Sequence, residues 1–232
     1  MISARSVAVD GKEFGYRMAG ESYGAAVPLL LLHATGETSE SWADFMLRWA
    51  EVGVVYALDL RGHGRSVWEG PYGLDVLAGD VVGFLDAMGL TQVDLVGHSL
   101  GGLVGCLVAS GAPGRVRKLV LEDVGVLHPR KPAVLERPAG PLDFDWDMVG
   151  CVRAQIDNPD TQWPTHAARI QADTLVLAGG SSSPVPQEHV AEMAATIPGA
   201  RLVTIGGGHM VHDARPEEFA AVVMGHLARP SG

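Results

Sequence analysis

Short apolar runs alternate along this chain with longer stretches in which apolar residues recur at helical spacing. The runs at 27–33, 54–58, 93–96, 118–121, 174–178 and 201–205 read as buried parallel strands, because near-continuous Val, Leu and Ile suit a strand covered on both faces. Between them, 41–51, 74–88, 100–110, 187–196 and 216–227 carry one apolar stripe each and predict helices that cover the sheet. An earlier alternating pair, 6–9 and 13–17, flanks Asp10-Gly11 and predicts a hairpin at one sheet edge. The order strand, helix, strand, helix predicts an α/β domain around a mostly parallel sheet.

One segment breaks this rhythm. Residues 124–172 insert about fifty positions and hold Pro129, Pro132, Pro138, Pro141, Pro159 and Pro164, too many for a simple crossover helix. A helix is predicted over 145–156, with Phe144, Trp146 and Met148 supplying apolar surface near its start. The expected organisation is a core in two parts, 1–123 and 173–232, with 124–172 as a small lid.

Composition narrows the class of partner. The chain has 232 residues, 47% of them hydrophobic, and 17 basic against 27 acidic side chains for a formal charge of −10. That balance supports one globular domain and sets the surface against nucleic acid and anionic lipid. Only Cys106 and Cys151 are present, without the paired spacing of a disulfide framework or zinc module. The opening Met1-Ile2-Ser3-Ala4-Arg5 leads into no long apolar run. A cytoplasmic protein acting on a small molecule is the expectation.

The candidate chemistry starts at Gly97-His98-Ser99-Leu100-Gly101-Gly102, placed between the predicted strand 93–96 and the following helix. A serine on so sharp a turn lifts its hydroxyl above the strand ends, and glycines two before and two after it remove the clashes. With Asp59-Leu60-Arg61-Gly62-His63-Gly64-Arg65-Ser66 upstream, His33-Ala34-Thr35-Gly36 earlier and Gly206-Gly207-Gly208-His209 near the C-terminus, the chain resembles the α/β-hydrolase superfamily over nearly its whole length. The resemblance implies the α/β-hydrolase fold, with helices on both sheet faces, and a catalytic order of serine, acid and histidine.

Serine needs a neighbouring imidazole to take its proton. His209 follows the last predicted strand, on the sheet edge where Ser99 would lie, and the glycines before it let the loop bend back. His98, His63, His128, His166, His189, His212 and His226 are expected to be structural or at the surface, and neither metal nor cofactor is expected. The acid departs from the common pattern. In most relatives it follows the penultimate strand, but the loop here reads Gly179-Gly180-Ser181-Ser182-Ser183-Pro184-Val185-Pro186, with Ser182 in the aspartate's place. Some haloalkane dehalogenases take their acid from the end of the preceding strand, which here reads Glu122-Asp123-Val124. Asp123 is the first choice. Glu122 stays open as the alternative, because neighbouring strand residues face opposite sides and the phase is not fixed by sequence.

The backbone N–H of Leu100, directly after the serine, is one expected oxyanion donor. By resemblance Thr35 is the other, with Ala34 in place of the commoner glycine. The loop 59–66 is expected to shape the ground beside the site, and Trp68, Phe144, Trp146, Met148 and Met210 are candidate pocket residues. Together these readings predict a cofactor-free serine hydrolase of small apolar esters or lactones, that is, an esterase or lactonase. Carbon–carbon bond and thioester hydrolysis use similar machinery. A ligand sensor on the same fold, and a biosynthetic cyclase or lyase, are the competing readings. Oligomeric state is left open by the sequence.

Overall fold

The structure, a computed structural model, describes residues 1–21 and 26–229. Eight strands form one sheet: β1 (Ser3–Val9), β2 (Lys12–Ala19), β3 (Leu29–Leu32), β4 (Val55–Leu58), β5 (Val93–His98), β6 (Val116–Glu122), β7 (Asp173–Ala178) and β8 (Arg201–Thr204). Their order is β1-β2-β4-β3-β5-β6-β7-β8. The β1–β2 and β2–β4 pairs are antiparallel and the rest are parallel. The hairpin turns where expected. Asp10 at φ 48° and Gly11 at φ 76° supply the two left-handed residues that a tight turn between twisted strands requires.

Helices cover both faces. Alpha helices α2 (Leu74–Ala87), α3 (Leu100–Gly111) and α6 (Gln187–Thr196) bury residues such as Phe84, Val104 and Val190 in one core. On the other side, α1 (Ala43–Trp49) and α8 (Pro216–Leu227) enclose a smaller core with Phe45, Trp49 and Phe219. A tight 3-10 turn, Ser39–Trp42, precedes α1, so the stretch predicted as one helix begins with a different winding. The inserted segment holds α4 (Trp146–Asp157) and α5 (Trp163–Ala168), and a single turn, α7 (Val211–Ala214), precedes α8. The short α5 is not apparent in the apolar pattern. Among the described residues, no helix is long and apolar enough to cross a membrane.

Two strands depart from the expectation of uniform apolar burial. β8 has no neighbour beyond it, so its residues alternate between half-buried and exposed. In β6, Lys118 is wholly buried. Its Nζ donates to Asp173 Oδ2 at 3.1 Å and to the His226 carbonyl at 3.0 Å, tying β6 to the start of β7 and to α8. Removing one partner of a buried pair strands the other charge. Lys118→Ala is therefore expected to lower unfolding free energy by about 3 kcal/mol, the lower end of the usual range because Asp173 keeps some solvent contact. Equilibrium urea denaturation checks it, and an unchanged midpoint would refute it.

The chain steps from β3 outward to β4, then returns past β3 to β5. At such a reversal the loops leaving neighbouring strands part company and open a crevice at the strands' carboxyl ends. Thr35 follows β3 and Ser99 follows β5, so both lie at that crevice.

Candidate active site

Ser99 sits between the last residue of β5 and the first of α3, at φ 49° and ψ −113°. A non-glycine residue is held in so sparsely populated a region only by its surroundings, at a cost on the order of 1–3 kcal/mol. Here the Ser99 N–H donates to the Glu122 carbonyl at 3.1 Å, while the Ser99 carbonyl accepts from Gly102 and Leu103. The elbow also needs its glycines. A Cβ on Gly97 would lie 2.5 Å from the Gly101 carbonyl oxygen, and one on Gly101 would run into the Leu32 carbonyl.

Asp123 is the residue immediately after β6, and its left-handed φ of 52° turns it out of the strand's alternation. The carboxylate, 1% exposed, meets His209 Nδ1 at 2.7 Å through Oδ2. Three more groups donate to it: the Gly179 N–H at 3.0 Å, the Gln187 side-chain amide at 3.2 Å and the Ser183 hydroxyl at 2.5 Å. Burial alone would raise its pKa, but the bonds from His209, Ser183, Gly179 and Gln187 outweigh burial and hold it below the ordinary aspartate range. The loop after β7, which lacks a carboxylate, thus supplies donors to one on the neighbouring strand. Ser182 does not take this part. It packs near Gly208 instead, and Ser183 and Gln187, absent from the sequence reading, are the residues that reach the acid.

Glu122 faces elsewhere. As the last residue of β6 it shares a strand face with Val120, which packs in the core beneath α1 and α8. Its carboxylate accepts from both the backbone N–H and Nδ1 of His212, each at 2.8 Å. The strand phase that the sequence leaves open therefore directs Asp123 to His209 and Glu122 to His212.

The loop after β3 is held from below by two histidines. His33 Nδ1 lies 2.8 Å from the Ala34 carbonyl and so donates, leaving Nε2 to accept the Leu60 N–H at 3.0 Å. His63 Nε2 accepts the Gly36 N–H at 3.2 Å. Burial keeps both rings neutral, lowering His33 and pushing His63 down to about 3. The segment 59–66 thereby shapes the loop that carries Thr35, and Asp59 adds an anchor by accepting the Ser39 N–H at 2.7 Å. The N–H groups of Thr35 and Leu100 make no hydrogen bond among the described residues and remain available as donors.

A cavity of about 660 Å³ brings Thr35, Ser99, Asp123 and His209 together, within the size range of small-molecule sites. Leu103 forms part of its wall, and Val126, Leu135, Val149, Val152 and Ile156 of the inserted segment supply much of the rest. Of the five pocket candidates, only Met210 lines it. Trp68 stands at the surface with its indole N–H on the Gly64 carbonyl. Phe144 packs over His63 and beside Gly36. Met148, fully buried, docks α4 against Gly62, and Trp146 opens that helix outside the cavity. The wall is instead Val149, Val152 and Ile156 of α4, an aliphatic stripe at spacing i, i+3, i+7 that was readable in the sequence and overshadowed by the aromatics.

The insertion is tied down as well as apolar. Tyr72 donates to Asp145, the Asp145 N–H bonds the Gly62 carbonyl, and the Gln155 side chain accepts from Leu74 N–H. Arg130 and Arg153, both at the cavity wall, pair with the buried Asp157 at 2.6 and 2.9 Å.

Comparison with known proteins gives a concordant picture. Residues 29–222 match the model of the "Alpha/beta hydrolase family". The 2-hydroxymuconate semialdehyde hydrolase of Pseudomonas sp. (strain CF600) is 28% identical in an alignment that covers 88% of this chain and 88% of that one. The crystal structure of the enol-lactonase from Burkholderia xenovorans LB400 superimposes with a TM-score of 0.84 at 23% identity, over 97% of this chain and 100% of that chain. Est816, an N-acyl homoserine lactone degrading enzyme, gives a TM-score of 0.82 at 26% identity, over 95% of this chain and 99% of that chain.

Proposed function

The chain belongs to the alpha/beta hydrolase family, and we propose that it is a serine hydrolase cleaving a small, largely apolar ester or lactone through an acyl-enzyme on Ser99. The observation that carries this reading is the 2.7 Å contact between His209 Nδ1 and the buried Asp123 carboxylate, set in one cavity with a serine at a strained strand-to-helix elbow.

The chemistry follows from those positions. The Asp123 carboxylate accepts a hydrogen bond from the Nδ1–H of His209, which fixes the tautomer and leaves the Nε2 lone pair as the base. Ser99 Oγ gives its proton to Nε2 as it attacks the carbonyl carbon, and the displaced electron pair collects on the carbonyl oxygen. The N–H groups of Leu100 and Thr35 bind that oxyanion, a service whose loss costs about 2.7–4 kcal/mol per donor. Collapse expels the alkoxide, which takes the proton from the imidazolium. Water, deprotonated by the same histidine, then releases the acid and restores Ser99. Four donors, His209 Nδ1, the Ser183 hydroxyl, the Gly179 N–H and the Gln187 amide, converge on the relocated carboxylate, which supports the hydrolase reading over the sensor reading.

The aliphatic wall and the likeness to Est816, named for lactone degradation, support apolar esters and lactones as the substrate class. Carbon–carbon bond hydrolysis is the second reading, favoured by the relative whose named substrate is a semialdehyde and no ester. A screen of short-chain p-nitrophenyl esters, aliphatic lactones, thioesters and enol-dicarbonyl compounds separates the two. Turnover of esters or lactones, absent in Ser99→Ala, is the expected result. Inertness to every ester and lactone alongside turnover of an enol-dicarbonyl would replace the proposal with the second reading.

A further inference from the structure

Below the cavity floor, four side chains from four different segments converge: Glu37 from the loop after β3, His98 at the end of β5, Glu122 at the end of β6 and His212 on α7. The hydrogen bonds fix which ring atoms carry protons. His98 Nε2 lies 2.9 Å from the His209 carbonyl, which can only accept, so Nε2 is N–H and the neutral ring presents a lone pair at Nδ1. His212 Nδ1 lies 2.8 Å from both oxygens of Glu122 and donates to them, which leaves a lone pair at Nε2. Both of these free ring nitrogens are buried and lack a hydrogen-bond partner among the described residues.

They face one another and a Glu37 carboxylate oxygen, the three atoms lying within 4.8 Å of each other. None of the three donates to another, and although the Ala34 N–H satisfies Glu37 Oε2 at 3.1 Å, the two ring nitrogens have no donor among the described residues. The charge is also unbalanced: Glu37 and Glu122 bring two carboxylates, and their only ion-pair partners among the described residues are these same two histidines. One divalent cation answers both defects at once.

We propose that Glu37, His98 and His212 form a divalent-cation site, best suited to zinc, with Glu122 orienting His212 from behind. Two imidazoles and one carboxylate are a zinc-type donor set, and a carboxylate behind a ligating histidine is a recurrent way to fix its tautomer. The 3.5 Å between His98 Nδ1 and Glu37 Oε2 is close to the ~3.4 Å edge of a tetrahedron with bonds of ~2.0–2.1 Å. Glu37 and His98 also line the cavity, so the fourth position opens toward it. The ion would brace the three segments that carry Thr35, Ser99 and His209. Its competitor is a proton on His98: burial opposes that charge, but Glu122 and Glu37 outweigh burial and raise the affinity of the ring for a proton. A proton there still leaves His212 Nε2 without a partner.

The test reads binding, so it stands apart from the reaction assigned above. The full-length protein, stripped with a chelator, is titrated near neutral pH with Zn²⁺ by calorimetry and with Co²⁺ by visible absorption. One equivalent per chain, with a raised unfolding temperature, is expected. His98→Gln, His212→Gln and the more exposed Glu37→Gln should each weaken binding by at least about tenfold, and Glu122→Gln by about 10–100-fold. Binding should survive His209→Gln, and also His128→Gln, which removes a surface pair with Glu192. The proposal is overturned by the absence of stoichiometric binding, by binding that persists in the Glu37, His98 and His212 variants, or by binding lost in His128→Gln or His209→Gln instead.

Discussion

Ser99→Ala is expected to reduce kcat by about 10⁶-fold, the scale of losing the nucleophile from a unit whose members act together. It should also abolish covalent labelling by a fluorophosphonate, with intact-protein mass and peptide mapping placing the label of the unaltered enzyme on Ser99. Both effects have one source. The elbow holds a single hydroxyl at φ 49° between β5 and α3, and the nearby Ser183 hydroxyl is occupied in donating to Asp123. Alanine has no atom to attack with, yet its Cβ takes the place of the serine's own, so the fold should be kept and the unfolding midpoint should move little. A label at any other serine, or residual turnover within tenfold of the parent, would remove Ser99 from the mechanism.

Asp123→Asn should be almost as damaging, lowering kcat by about 10⁴-fold with a far smaller change in KM. Asparagine preserves shape but can present an N–H to His209 Nδ1. The ring is then driven to the tautomer that carries its proton on Nε2, where the base is needed. Glu122→Gln, one residue away, should change kcat less than tenfold because that carboxylate bonds His212 rather than His209. Steady-state kinetics of the two variants on one ester decides the matter. Equal losses would mean that the β6 carboxylates are not divided as described.

Much of this arrangement was legible in the sequence, and for identifiable reasons. The apolar strands show through because β3, β4, β5 and β7 are covered on both faces and so lack polar alternation. Ser99 shows through because an elbow this tight excludes side chains at Gly97 and Gly101. The choice between Asp123 and Glu122 did not, since it depends on a left-handed residue after the last strand pairing, and nothing in the Glu122-Asp123-Val124 run encodes that φ. The roles of Ser183 and Gln187 were hidden for a related reason: they are neutral side chains whose value arises only once β6 and β7 lie side by side. At the pocket, side-chain size is a misleading guide. The bulky Phe144, Trp146 and Met148 serve to dock or begin the inserted helix, while the smaller Val149, Val152 and Ile156 meet the cavity.

Seating the acid on β6 has a practical consequence for remodelling the enzyme. Ser183 in the turn after β7 and Gln187 at the start of α6 clamp the carboxylate, whereas Pro184, Val185 and Pro186 between them border the cavity. Under the proposed mechanism those three positions can be diversified as a cassette that reshapes substrate preference, because the Asp123 carboxylate is rooted one strand away.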